Sequence, residues 1–472
     1  MPTQCNGSGE QQEFSFGRHI RREVTARFDG GKISSDGGAP LLGEVDRRLR
    51  LLDRFAACFE DYRDAERIEH SVAELVKQRV YAIALGYEDL NDHDQLRNDP
   101  LLALLAGKDD LEGVNRKQQR DRGRALAGKS TLNRLERTTD GADRYKKIRC
   151  RFERIDKLLL DTFIEAHPEP PSEVILDLDV TDSPLHGEQE GRFFHGYYGH
   201  YCYLPLYIFA GPHLLCARQR TADQDAAAGS VGELARIVSG LRARWPQVRI
   251  IVRADSGFCR DQLLCWCEEH NVDYVVGLAR NERLRARIDS AIERARERQA
   301  ATGEASREFA DFAYQTLKSW SRERRVVAKA EQLEGKENPR YVVTSLSKQA
   351  YAARELYEEL YCARGEMENR IKEQLSLFAD RMSTQTLRAN QLRLYFSSIA
   401  YTLMLGLRRL GLRGTPWAQL QTETIRRRLF KIGARVRVTA RRVWLSLAEG
   451  WPWRALFETV WRALHEPPPL AA

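Results

Sequence analysis

Two apolar runs in this chain stop abruptly at aspartate. VILDLDVTD carries Asp177, Asp179 and Asp182, and IIVRADSGF carries Asp255 just before a Ser-Gly turn. Apolar runs bounded in this way read as strands, and alternation along the first puts Asp177 and Asp179 on one face. A carboxylate facing a core is costly unless a cation compensates it. Where strands run parallel, ligands collect at their carboxyl ends. Neighbouring strands ending in aspartate are therefore a candidate site for a hard divalent ion such as Mg²⁺, which takes oxygen ligands and keeps waters that phosphate oxygens can replace. A pair of such ions polarises the attacking and leaving oxygens of an in-line phosphoryl displacement. Alternation alone does not choose between Asp177 and Asp179.

A third carboxylate should come from a helix packed nearby. At about 100° per residue, a helix through ELYCARGEMENRIKE gathers Tyr361, Arg364, Glu368 and Lys372 into one stripe, whereas Glu366 and Glu373 point away. The same stripe also describes a surface row of i,i+4 ion pairs.

These residues need a scaffold, and the chain is punctuated accordingly. PEPPSE, from Pro168 to Glu173, reads as a linker. Before it the pattern is mostly helical, including HSVAELVKQRVYAIAL and RYKKIRCRFERIDKLLLDTFIEA. After it the order β-β-β-α-β-α-β predicts a mixed sheet with helices packed on it. A charged stretch from about 282 to 348 holds further strand patterns, and ARELYEELYCARGEMENRIKEQLSLF then reads as one long helix. The expected division is an unstructured N-terminus (1–13), a helical module (14–170), a sheet core in two parts (171–281 and 349–410) around a β-rich insertion (282–348), and a basic C-terminal region (411–472).

Composition narrows the function classes. Lys plus Arg number 75 against 67 Asp plus Glu, a net charge of +8, which points to an anionic partner, most often nucleic acid. From Gln385 onward, fifteen Arg/Lys stand against four Glu, with RRRLFK and RVRVTARR among tryptophans and aliphatics. The nine cysteines form no C-x-x-C pair, so a disulfide framework is not expected, and His195, His200 and Cys202 are a weak zinc pattern. The longest apolar stretch, IAYTLMLGL, is too short to span a bilayer, and a cytoplasmic protein is expected. GRALAGKST, Gly123 to Thr131, matches the phosphate-loop pattern, but VNRKQQRDR before it is too polar for the buried strand such a loop needs. We expect no bound nucleotide there, and a short helix capped by Ser130 or Thr131.

Together, D-x-T ending a first strand, Asp ending a fourth, and Y-x-x-R-x-x-x-E on a later helix resemble the DDE transposases of bacterial insertion sequences. LDLDVTDSPLHGEQEG, YLPLYIF, RADSGF and RGEMENRIKE are most similar to the "thirteen-eighty" family, within the group bearing a Tyr-Arg-Glu-Lys signature and a β-rich insertion; the resemblance runs from SSDGGAPLL to RRVWLSLA. It implies an RNase H-like core, with Asp179, Asp255 and Glu368 holding two Mg²⁺ ions (Mn²⁺ also serving). Asp179 is taken over Asp177 because it precedes Val180-Thr181. Tyr361 and Arg364 would contact phosphate near the cut end, and Trp320 would stack in the gap left by a flipped base. The signature lysine would fall at Leu375, with Lys372 on the same stripe to replace it. Double-stranded DNA, both the element's terminal inverted repeats and the target, is the implied partner, and a dimer the implied assembly. The implied reaction is cut-and-paste transposition. The alternatives are a silent DNA-binding descendant and an RNase H-like nuclease or resolvase without strand transfer.

Overall fold

The computed structural model describes residues 12–138, 141, 144 and 146–466. The expected unstructured segment 1–13 lies almost wholly outside them. The chain divides into two compact units. One comprises the chain up to Ala56, Arg63–Leu135 and the chain from Gly406; the other comprises Ala57–Tyr62 and Glu136–Leu405.

The second unit is built on a nine-stranded sheet among the described residues. Its main strands are β1 (Glu173–Val180), β2 (Leu206–Ala210), β3 (His213–Arg218), β4 (Arg249–Ala254), β5 (Asp273–Leu278), β6 (Ser306–Tyr314), β7 (Arg324–Leu333) and β8 (Arg340–Thr344). They lie in the order β3-β2-β1-β4-β5-β8-β7-β6. β4 is parallel to both β1 and β5, while β2 and β3 pair antiparallel. The sheet is thus mixed, as expected from the element order.

Period two sorts its faces. Val174, Leu176 and Leu178 of β1 and Ile250, Val252 and Ala254 of β4 point into one core, sealed by the helices α1 (Phe152–Glu165), α2 (Ser230–Arg244) and α3 (Asp261–Glu269). Ile251, Val275, Val327 and Val342 point the other way, against Leu356, Tyr357 and Leu360. Burial on both faces is why β4 and β5 read as continuous apolar runs.

The insertion departs from expectation in one respect. It opens with two helices, Glu282–Ala286 and Asp289–Thr302, and its strands β6 to β8 do not form a separate body. They continue the main sheet, because β8 pairs antiparallel with the free edge of β5. The expected long helix is also broken. A short helical turn, Ala353–Glu355, runs into a π-helical turn, Leu356–Tyr361, and a 3₁₀ turn, Cys362–Arg364, before α4 (Gly365–Ser376).

The first unit joins segments expected to be separate. Lys32–Ser34 pairs with Ala434–Val438, which pairs with Val443–Leu447. SSDGG makes the junction possible. Gly37 and Gly38 donate their N–H groups to the Ile432 and Phe430 carbonyls at 2.7 and 3.1 Å, and a Cβ at Gly38 would sit 1.7 Å from the Leu429 carbonyl oxygen. The basic C-terminal region therefore packs with the N-terminal helical module as one unit. By contrast α1, expected in that module, packs in the sheet unit through Leu160 and Phe163. No helix among the described residues is long and apolar enough to cross a membrane.

Buried histidines should make the first unit acid-sensitive. His93 is fully buried with Nδ1 2.9 Å from Gln78 Nε2, and burial pushes it down to about 3 from 6.5. Burial, then Lys108, Arg116, Arg97 and Arg63, do the same to His70. Below pH 6.5 the unfolded chain takes protons that these imidazoles refuse, so stability is whole above that pH and falls as pH drops toward 3. The slope is about 1.4 kcal/mol per pH unit for each histidine. Urea unfolding of this unit should therefore show a lower midpoint at mildly acidic pH than at neutral pH, and His93→Gln should flatten that dependence by about one proton. Identical midpoints at both pH values would contradict this.

Candidate active site

The register of β1 and β4 pairs Asp177 with Arg253 and Leu178 with Ala254, which brings Asp255 level with Asp179 at the ends of adjacent parallel strands. The chain turns sharply after Asp255 because its Oδ1 accepts the Gly257 N–H at 2.8 Å and caps the 3₁₀ turn Ser256–Phe258.

The two aspartates of β1 that alternation leaves equivalent have different surroundings. Asp177 is buried, and both its oxygens take the Arg253 fork, at 2.5 Å from Nε and 2.8 Å from Nη2. Arg253 also donates through Nη1 to the Leu360 carbonyl, tying the π-helical turn to the sheet. Burial raises the Asp177 pKa, and Arg253 counters it. Asp179 lies one pleat further on. Its Oδ1 accepts the Val180 N–H, and its Oδ2 is 2.9 Å from Arg364 Nη2. The same Arg364 nitrogen is 4.0 Å from Asp255 Oδ2. Burial pushes the Asp179 carboxyl up to about 6. Arg364 pulls it down, and the charges of Asp255 and Glu368 add to the rise.

Glu368 is exposed on α4, one turn beyond Arg364, and close enough for its charge to be felt at Asp179. Met367 and Ile371 turn the other way, into the protein. Tyr361 ends the π-helical turn with its hydroxyl over β5. A Cβ on Gly277 would lie 2.7 Å from that oxygen and 2.8 Å from the Ser256 nitrogen, so only glycine leaves room there. Lys372 is exposed a further turn along α4, and Leu375 is half-buried.

Trp320 is elsewhere. It is only 6% exposed in the main core, edge-on to Tyr314 at 6.0 Å, with Arg324 5.4 Å from its ring. The arginines around it are engaged: Arg324 by Asp261 and Glu268, Arg325 by Asp311, Arg322 by Glu268. Packing accounts for Trp320 as it stands. His200 pairs with Asp182 at 2.8 Å.

Among the described residues no three His, Cys, Asp or Glu side chains are close enough to hold a metal ion as they stand. A guanidinium lies between the Asp179 and Asp255 carboxylates instead, supplying positive charge where a divalent ion would. An all-carboxylate donor set that already attracts a cation fits a hard ion such as Mg²⁺. Arg253 and Gly277 adjoin the carboxylates, and the sequence motifs assign neither a role, although Arg253 opens RADSGF. An arginine inside an apolar strand needs a carboxylate on the same face, and that signal would claim Asp177.

The pairing has a measurable consequence. Removing one partner of a buried ion pair costs about 3–5 kcal/mol, so Asp177→Ala should unfold at markedly lower denaturant. Asp179→Asn, which neutralises a carboxyl that burial already disfavours as an anion, should change the midpoint little. Equal losses in the two variants would contradict the distinction.

A family model described as "Transposase DDE domain group 1" matches residues 16–469. No curated protein matches the chain. Among solved structures, one described as the cryo-EM structure of piggyBac transposase synaptic complex with hairpin DNA is 11% identical, with a TM-score of 0.40, covering 92% of this chain and 82% of that one.

Proposed function

We propose, for a chain that belongs to the DDE transposase family, that it cuts DNA at the terminal inverted repeats of its own element and joins the freed ends to target DNA. The observation carrying this reading is the placement of Asp179 and Asp255 at adjacent parallel strand ends, with Arg364 between them and Glu368 one helical turn away. The strand order β3-β2-β1-β4-β5, with β4 parallel to β1 and β5, supports an RNase H-like core for that site.

In this reading Asp179, Asp255 and Glu368 hold two divalent ions. Those ions, when bound, polarise the attacking and leaving oxygens of phosphodiester displacement. The protein's own contribution is positioning and charge. Asp255 is fixed by its cap to Gly257, and Asp177 is withheld from the set by Arg253. Arg364 leaves the carboxylates to hold a phosphate oxygen near the scissile bond, a bidentate role that suits guanidinium. Tyr361 and Lys372 add contacts to the same strand. The basic surface supplies affinity that falls steeply with salt, and two chains act together on paired ends.

The test is a plasmid carrying the inverted repeats that bracket the gene. Wild-type protein should release the intervening DNA with Mg²⁺ or Mn²⁺ and not with EDTA. Absence of metal-dependent cutting at the repeats would sink the reading.

A further inference from the structure

The phosphate-loop match is not a phosphate loop, yet its end forms one wall of a cationic cleft. A 3₁₀ turn, Gln119–Asp121, rather than a strand, leads toward it. The Lys129 N–H, at the start of the helix Lys129–Glu136, is taken by Asp94 Oδ1 at 3.3 Å, so the cap comes from Asp94 and not from Ser130 or Thr131. Gly128, Lys129 and Thr131 nevertheless line a cavity of about 490 Å³ that also collects seven cationic side chains against three carboxylates.

Two residues lining that cleft carry buried polar groups with nothing to bond. His70 is 4% exposed, and neither ring nitrogen has a hydrogen-bond partner. Arg97 Nε is buried without one as well, while its Nη2 holds Asp121 at 2.7 Å. Buried donors are rarely left this way without a ligand or an ordered water to receive them. The imidazole is also held firmly. Arg63 donates to the His70 carbonyl at 3.0 Å, Lys108 to the Glu69 carbonyl at 3.0 Å, and Arg116 grips the Glu69 carboxylate at 3.1 and 3.2 Å. Burial, and positive charge on several sides, keep His70 neutral, with one ring N–H to give. A ligand entering such a field is an anion. Arg67 and Arg120, 87% and 81% exposed, stand at the rim with Arg134.

We propose that this cleft binds a phosphate group, with Arg67, Arg120 and Arg134 supplying charge at the mouth above the buried, unpartnered His70 ring and Arg97 Nε. The phosphate belongs either to a DNA strand or to a free polyphosphate, since both present the same oxygens. The site uses none of the residues assigned to cleavage.

The test uses the full chain carrying Asp255→Asn, so that DNA stays intact and failure here leaves the cleavage reading untouched. With histidine-selective isotope labelling and His70→Gln to assign the signal, a short duplex of arbitrary sequence, ATP and inorganic pyrophosphate are titrated separately. The expected result is a shifted His70 resonance with duplex. The exposed-residue variant Arg67→Ala/Arg120→Ala/Arg134→Ala should bind duplex about tenfold more weakly, with a salt slope shallower by about 0.9 for each phosphate it no longer neutralises. A shift with ATP or pyrophosphate and not with duplex also supports the site and identifies free polyphosphate as its source. A His70 signal unmoved by all three probes overturns the inference.

Discussion

Asp255→Asn protein should fold as wild type does and fail to cut DNA. Asparagine keeps an oxygen to accept the Gly257 N–H, so the turn after β4 survives. What disappears is the negative charge at the end of β4, opposite Asp179. Removing one electrostatic element of a preorganised site slows chemistry about 10²–10³-fold, and a residue proposed also to hold the reaction's ions should cost at least the upper figure. Single-turnover cleavage of a duplex bearing the element's ends, with Mg²⁺ in excess, measures it. A variant that cuts at a rate near wild type would remove Asp255 from the chemistry.

Arg364→Gln should have two opposite effects. The guanidinium lies 2.9 Å from Asp179 and 4.0 Å from Asp255, where it competes with any divalent ion for the same oxygens. Unit charges at about 4 Å interact by about 4 kcal/mol at an effective dielectric of about 20. Even with much of that screened, the DNA-free variant should bind Mn²⁺ at least about tenfold more tightly, since about 1.4 kcal/mol is tenfold. Cleavage should nevertheless fall about a hundredfold, because the phosphate loses a positioning donor. Mn²⁺ titration followed by electron paramagnetic resonance reads the first effect, and single-turnover cleavage reads the second. Weaker Mn²⁺ binding by the variant would contradict the competition.

The parts of this site that the sequence announces are those set by local periodicity. β1 and β4 are legible because apolar alternation has a fixed period and each run stops at aspartate. The different surroundings of Asp177 and Asp179 are not legible, because the deciding partner of Asp177 is Arg253, on a strand more than seventy residues away. The stripe of Tyr361, Arg364 and Glu368 follows from one continuous α-helix. The structure interrupts that helix with π-helical and 3₁₀ turns, and Glu368 still follows Arg364 by one turn because the irregularity falls before α4. A slip in hydrogen-bond register leaves no mark in residue composition. The union of SSDGG with the C-terminal strands is equally invisible, since Gly37 and Gly38 serve a close backbone approach rather than any period. The insertion's β texture is readable, but not its attachment to the edge of β5, which depends on register set by the whole sheet.

The most direct test of a shared role for Asp179, Asp255 and Glu368 is strand joining by Glu368→Gln protein. Pre-cut terminal ends are incubated with target DNA in Mg²⁺, so that only the joining step is read. Wild-type protein should yield joined product and the variant none, although Glu368 is exposed on α4 and its replacement leaves the packing intact. Joined product from Glu368→Gln in wild-type yield would contradict the account.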